Sequence, residues 1–343
     1  MEQILLAYGI PHETVSAIMM LYKNTQAMVR SPDGDTNFFD ILAGVLQGDT
    51  LAPYLFVIFL DYVLRISADV YREHGFTLEK SRSRRYPEQK ITDADYADDI
   101  ALFSNSIDDA TLLLHYVEDA AIKIGLHVNA GKTEFICYNT AGNIKSAAGV
   151  DIKQKEDFVY LGSNVASTAR DVEIRLGKSW GALGALDKIW KSNVPADVKR
   201  DFFRATVESV LLYGSSTWTL TNQLQRSLDG AYTRMLRAVL NISWKQHPTK
   251  KDLYGNIPPL STIIRERRLR FAGHSWRSKN ELISDVLLWH PKHGKTPVGR
   301  PARTYIDQLR DDTGCEIDEL PTAMSDRQGW KERVKSVRAS STW

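Results

Sequence analysis

The stretch from Lys90 to Asn105, KITDADYADDIALFSN, constrains the fold more than any other. Asp93, Asp95, Asp98 and Asp99 stand within seven residues, and an apolar run follows at once. Neighbouring carboxylates raise one another's pKa and cost stability unless something positive sits between them. The apolar run wants burial, so the acids must stand at the rim of a core. Two short strands, KITDADYA and IALFSN, around Asp98 and Asp99 meet both demands. An EF-hand does not: counted from Asp93, the fifth position is Ala97 and the sixth, where that loop needs glycine, is Asp98. A hairpin turn chosen for geometry favours Asn-Gly or Asp-Gly, because positive φ costs glycine little. Asp-Asp is a poor choice on that ground. Side chains at such a tip converge and offer hard oxygen ligands to a divalent cation; the alternative is a solvated acidic turn.

The rest of the chain is ordinary globular material. With 343 residues, 43% hydrophobic and 25% charged, it has enough apolar content for a sizeable core and two or three subdomains. The longest apolar run, LAPYLFVIFL, stops at Asp61, short of the roughly 18 residues that span a bilayer. The N-terminus MEQILLAYGI has an acid at position 2 and no basic stretch, so no secretory signal is expected. Cys137 and Cys315 are the only cysteines. They fit a reducing compartment, nuclear or cytoplasmic, and exclude a cysteine-rich zinc knuckle built from this chain alone.

Periodicity divides the chain into an α+β region followed by helices. HETVSAIMMLYKN has helical spacing at Val15, Ile18, Met19 and Tyr22, and TNFFDILAGV reads as a strand. GDTLAPYLFVIFLDYVLRI predicts a helix with Asp49 or Thr50 as cap and Pro53 in the first turn. IDDATLLLHYVEDAAIKIGL predicts another, ending near Gly125, and HVNAGKTEFICYN a further strand region. From about Thr168 to Trp244 the pattern is mainly helical, with Trp180 and Trp190 expected in the core. The expected divisions are 1–140, 141–244 and 245–343.

Charge is uneven. Lys245 to Arg310 carries fourteen Lys/Arg against five Asp/Glu, although the whole chain is only +2. With Trp244, Phe271, Trp276, Trp289 and Tyr305 among these cations, the block suits a nucleic-acid surface. A solvated helix face over core aromatics has the same composition. VGRPAR (Val298 to Arg303) and HPKH (His290 to His293) read as loops, the latter without a recognised zinc spacing even with Cys315.

YADD, Tyr96 to Asp99, resembles the signature of reverse transcriptases, in which an aromatic residue, any residue and two aspartates sit on a palm hairpin. GVLQGDTLAPYLFVIFLD (Gly44 to Asp61) resembles the family's Gly-x-x-Gln-Gly loop and the helix after it. GLHVNAGKTEFI (Gly125 to Ile136) resembles the segment after the hairpin, and FVYLGSNV (Phe158 to Val165) is similar to the primer grip. LLYGSSTWTLT, MLRAVLNISW, RERRLRFAGHSWR and GRPARTYIDQLRDD look like the thumb and tail of LINE-type (non-LTR) retrotransposon polyproteins. Leu46 lies where a basic residue is common, and Ala52 where serine is common.

The resemblance implies a partial polymerase palm, an antiparallel sheet with helices, followed by a mostly helical thumb and a basic helical tail. It implies RNA-directed DNA synthesis by two-metal nucleotidyl transfer, with Mg2+ or Mn2+, deoxynucleoside triphosphates, an RNA template and a DNA primer. Asp98 is then the main metal ligand and Asp99 the second. Gln47 and Gly48 line the template or nucleotide pocket, and Lys132 either stands near the triphosphate or closes a turn. Tyr160, Leu161 and Gly162 form the primer grip, and Arg265, Arg267, Arg268 and Arg270 contact nucleic acid. Tyr96 is expected to pack beneath the hairpin, and Asp93 and Asp95 to be solvated. In the family a third carboxylate comes from a palm strand shortly before the helix that here begins as MEQILLAYGI; in this chain that strand would precede Met1. The expectation is a truncated enzyme, inactive by itself, or alternatively a nucleic-acid-binding remnant or a decayed copy. Asp40 and Asp61 are substitutes only in a formal sense.

Overall fold

Two short helices open the chain, Glu2–Ala7 (α1) and His12–Leu21 (α2), and the predicted period of the second puts Val15 and Ile18 inward with Leu5. The computed structural model describes residues 1–343 except 42–43, 47, 67–70, 244, 279–280, 291–302 and 340–343. The chain divides into two units, Met1–Lys155 and Glu156–Trp343.

In the first unit, short strand pairs join Gln26–Ala27 (β1) to Phe39–Asp40 (β4) and Arg30–Ser31 (β2) to Gly34–Asp35 (β3). Among the described residues of TNFFDILAGV, expected as one strand, only Phe39 and Asp40 are paired. Phe38 and Phe39 are both exposed, so the segment has no covered face to extend along. Helix α3, Ala52–Ile66, begins after Leu51, and the expected cap Asp49 stands in the turn before it: Asp49 Oδ1 accepts from the Leu51 amide at 3.2 Å, and its other oxygen accepts from the Tyr22 hydroxyl at 2.8 Å. Pro53 sits in the first turn, where a missing amide costs nothing. Strands Phe76–Glu79 (β5) and Gln89–Ile91 (β6) pair with a bulge, and Asp93–Tyr96 (β7) and Asp99–Leu102 (β8) form the acidic hairpin.

Helix α4, Ile107–Ile122, holds this unit together. Ser106 accepts from the Asp109 amide at 3.1 Å and starts the helix, with Asp108 and Asp109 favourably placed against the positive end of its dipole. Its Leu113 and Val117 meet Tyr71, Ala120 and Ala121 meet Val63, and Leu114 meets Ile144 and Ile152. The last contact explains the unit boundary. Residues 141–155, expected to belong to the 141–244 division, pack under α4, and a parallel pair of Glu134–Phe135 (β9) with Lys153–Gln154 (β10) ties them in.

The second unit opens with the hairpin Val159–Tyr160 (β11) and Ser163–Asn164 (β12). Helix α5 (Thr168–Ala185), capped by Ser167, leads to α6 (Asp187–Trp190) and α7 (Ala196–Phe203). A π-helical turn, Arg204–Glu208, joins α7 to α8 (Ser209–Leu211). Then come α9 (Asn222–Val239), α10 (Lys250–Tyr254), α11 (Leu260–Trp276), α12 (Glu281–Leu287), α13 (Tyr305–Thr313), α14 (Leu320–Ser325) and α15 (Arg327–Ala339).

Two cores share α11. Leu260, Ile263 and Ile264 enter the first with Phe203, Trp218, Tyr232 and Met235; Leu269 and Ala272 enter the second with Leu309, Met324 and Trp330. The boundary expected at residue 245 therefore does not divide the packing, because one helix serves both sides. At Gly273, α11 meets the Trp330 indole so closely that an added Cβ would lie 2.2 Å from its nitrogen. Trp190 is buried as expected, whereas Trp180 is 38% exposed and does not join the core.

Candidate functional site

The acidic hairpin pairs Tyr96 with Asp99, Asp95 with Ile100, Ala94 with Ala101 and Asp93 with Leu102, leaving Ala97 and Asp98 as a two-residue turn. Ala97 takes φ 53°, a left-handed conformation that costs an alanine about 1–2 kcal/mol. Directly paired residues share a face. Tyr96 and Asp99 thus stand on one side, both exposed, and Asp98 is exposed at the turn. Tyr96 is 66% exposed and does not pack beneath the hairpin, because the inward face belongs to the other register positions.

That inward face carries Ile100 and Leu102, which pack toward Tyr71, and with them Asp93 and Asp95. Of these two acids, both expected to be solvated, Asp95 is exposed at the edge of that face and Asp93 is half-buried. The Asp95 carboxyl is pushed up to about 7 by burial and by the neighbouring Asp93 carboxylate, to which it is hydrogen-bonded. Asp93 accepts from the Thr92 hydroxyl at 2.5 Å. The Tyr71 hydroxyl is buried without a hydrogen-bond partner, and burial and both carboxylates raise its pKa.

Gly48 takes φ 92° in an exposed turn that the Asp49 amide closes on the Leu46 carbonyl at 3.1 Å. Gln47 lies outside the described residues. Lys132 closes a turn through its backbone: its amide donates to the Asn129 carbonyl at 3.0 Å and to Asn129 Oδ1 at 3.2 Å, while its side chain is exposed. Asp61 accepts from Tyr8 at 2.6 Å and pairs with Arg65 at 2.6 Å, and Asp40 accepts from Gln26 at 2.8 Å. Among the described residues, no three His, Cys, Asp or Glu side chains come together in a way that would hold a metal ion.

In the second unit, the hairpin expected to form the primer grip is fixed at its tip. Leu161 and Gly162 both have positive φ, 47° and 79°, in the two-residue turn between β11 and β12. The Tyr213 hydroxyl donates to the Leu161 carbonyl at 2.7 Å, and Arg175 donates to the Gly162 carbonyl. The Arg175 guanidinium lies over the Tyr213 ring, 4.2 Å from its centre. Behind the tip, Asp171 accepts from the Asn164 amide at 2.9 Å and from the Trp218 indole at 2.7 Å. Tyr160 is half-buried on β11.

The four arginines of α11 do not act alike. Arg268 is 2% exposed, donating to Asp312 and to the Trp218 carbonyl, so its assignment to a nucleic-acid surface is corrected: it is an internal cation. Arg265 is turned to the same carboxylate, at 3.1 Å. Arg267, which donates to the Leu212 carbonyl at 2.9 Å, and the exposed Arg270, paired with Glu266, reach a surface cleft with Tyr213 and Phe271. A count of charge along the sequence cannot separate these positions, since the internal arginine and the exposed ones belong to the same run. Asp171 and Arg175 belong to none of the sequence motifs, and their one local signal is the i,i+4 spacing of an acid and a base on a predicted helix. Of the loop motifs in the tail, residues 298–302 and 291–293 lie outside the described residues, as does Trp244.

Residues 3–165 match the family model of the reverse transcriptases (RNA-dependent DNA polymerases). An uncharacterised transposon-derived protein of Caenorhabditis elegans is 24% identical over 275 residues, covering 74% of this chain and 98% of the worm protein. The retrovirus-related Pol polyprotein of the type-2 retrotransposable element R2DM of Drosophila melanogaster is 23% identical over 308 residues. That match covers 82% of this chain but only 27% of the fly polyprotein.

Proposed function

We propose that this chain, whose residues 3–165 belong to the reverse transcriptase family, is the acidic-hairpin and thumb portion of a non-LTR retrotransposon RNA-directed DNA polymerase. Its role is to hold an RNA template and DNA primer and to present Asp98 and Asp99 to the transfer of deoxynucleotides. The observation that carries this reading is the hairpin itself. It lies inside the matched region, with one acid in its turn and the next on its strand, and both are exposed beside Tyr96.

The family's chemistry depends on divalent metal ions, which activate the primer hydroxyl and stabilise charge at phosphorus. Magnesium demands near-octahedral coordination. Two adjacent carboxylates on an exposed tip, with no third donor gathered among the described residues, do not meet that demand alone. A further carboxylate is needed beside them, and without it the chain binds nucleic acid and does not turn over. The chain's own contribution is positional. β7 and β8 aim the two acids outward, while Tyr213 and Arg175 fix the primer-grip tip, which supports Tyr160, Leu161 and Gly162 as the primer contact. The free thiols Cys137 and Cys315 support a reducing compartment, nuclear or cytoplasmic.

Primer extension on an RNA template with magnesium or manganese tests this, comparing the chain with its Asp98→Asn variant. The expected result is retention of primer–template by both proteins and no extension by either. Extension that Asp98→Asn abolishes would overturn the incomplete site; failure to retain primer–template would overturn the function.

A further inference from the structure

A cleft of about 410 Å³ opens in the second unit beside Gly214, between the loop after α8 and one face of α11. Ligand sites run from about 300 to 1,000 Å³, so this one has room for a single nucleotide and little more. Its lining combines two features. Tyr213 is 49% exposed and Phe271 is 39% exposed, two large rings left open to solvent on the same cleft. Arg267 and Arg270 stand on the same stretch of helix, and Arg267 lies one turn from Phe271.

The rings are held in place. Tyr213 is tethered through its hydroxyl to the Leu161 carbonyl, and one ring face is taken by Arg175, so its exposed part is a fixed platform. Phe271 is carried by a helix packed into two cores. The local charge is positive even though Arg270 has a partner. Glu266 receives both Arg270 and Arg338, the latter at 3.5 Å, while Arg267 donates to the neutral Leu212 carbonyl, so two arginines share one carboxylate and a third adds its charge beside them.

Resting on the nucleic-acid reading above, we infer that this cleft stacks one unpaired base of a single-stranded nucleic acid on Tyr213 and Phe271, with the adjoining phosphate on Arg267 and Arg270. A duplex keeps its bases stacked on each other and presents mainly phosphates. Open ring faces have value only to a base already out of its stack. The cleft therefore recognises the single-stranded part of a substrate, with little sequence preference, because every base has a π-face.

Fluorescence anisotropy on the full chain tests this with two probes, a labelled oligothymidylate of about six nucleotides and a blunt duplex. Phe271→Ala is expected to weaken single-strand binding about tenfold, to leave the salt slope unchanged and to leave duplex binding intact. Phe271→Trp restores single-strand affinity, which excludes a folding defect as the cause. Arg270→Ala lowers the slope of log K against log salt by about 0.7, the loss of one phosphate contact on a single strand. Single-strand binding by Phe271→Ala equal to the parent, or equal losses on both probes, overturns the inference. Duplex binding by the parent without single-strand binding overturns the inference and spares the nucleic-acid reading; binding of neither probe overturns both.

Discussion

Asp312→Ala is expected to be among the most damaging single truncations in the second unit, and the structure supplies the magnitude. The Asp312 side chain is 10% exposed and binds two guanidinium groups, Arg265 and Arg268. Arg265 is 37% exposed and can rehydrate when its partner goes. Arg268 cannot: it is 2% exposed, its Nε already lacks a partner, and only the Trp218 carbonyl at 3.2 Å would remain. Removing one member of a buried pair costs about 3–5 kcal/mol, because the other charge stays buried uncompensated. Most of that is expected here, a large part of the roughly 5–15 kcal/mol that holds a domain folded. All eight tryptophans lie in the second unit, so tryptophan fluorescence during urea unfolding reports on it selectively. The pair Arg268→Met with Asp312→Leu removes both charges and is expected to regain most of the loss. A cost below about 1 kcal/mol for Asp312→Ala, or a double variant no better than the single one, would refute the reasoning that the trapped cation sets the penalty.

The first unit should lose stability as pH rises from about 4 to about 7. Asp95, with its folded pKa raised to about 7, keeps its proton there while the unfolded carboxyl has lost it, so the contribution is full below the unfolded value and is gone above 7. Asp95→Asn, followed by circular dichroism in urea across that range, is expected to flatten the dependence; an unchanged slope would place the titration elsewhere. Ala97→Gly relieves the left-handed φ at the hairpin turn and is expected to stabilise the first unit by about 0.5 kcal/mol after the greater freedom of the unfolded chain is subtracted. Gly214→Ala is expected to destabilise the second unit by about 2 kcal/mol, since φ is 72° and the new Cβ would lie 2.4 Å from Ser163 Oγ. Its urea midpoint checks this, and a shift no larger than that of an exposed glycine such as Gly230 would contradict it.

The hairpin was legible in the sequence because alternation and an acidic turn are local properties. So were α2, α3 and α4, whose apolar spacing is read within a few helical turns. The face each acid takes was not legible. It depends on which residue opposes which, and a turn of two residues at Ala97–Asp98 puts Asp93 and Asp95 on the face of Leu102 and Ile100 and Tyr96 on the other; a turn one residue longer shifts the pairing and changes those faces. The arginines of α11 failed for a related reason. Burial of Arg268 rests on Asp312, forty-four positions away, and no window along the chain connects them.

These differences bear on what the chain can do. The acidic tip depends on a two-residue turn with a strained alanine, and the neighbouring Asp93 and Asp95 carboxylates disfavour each other's charge, so its geometry is a balance of unfavourable terms. The tip of the β11–β12 hairpin, the proposed primer grip, is strained too, at Leu161, yet both of its tip carbonyls accept bonds from side chains that a buried network orients. That network runs from Asp171 through Trp218 to Arg268 and Asp312 and draws the hairpin and the tail into one packed body. A site that must hold two metals within tenths of an ångström needs preorganisation that the first arrangement lacks, whereas a surface that grips a strand needs only rigid acceptors, rings and cations. The second unit has these by itself, so nucleic-acid binding is expected to persist in Asp98→Asn and to fall with Arg175→Ala, which frees the tip without removing any group of the acidic hairpin.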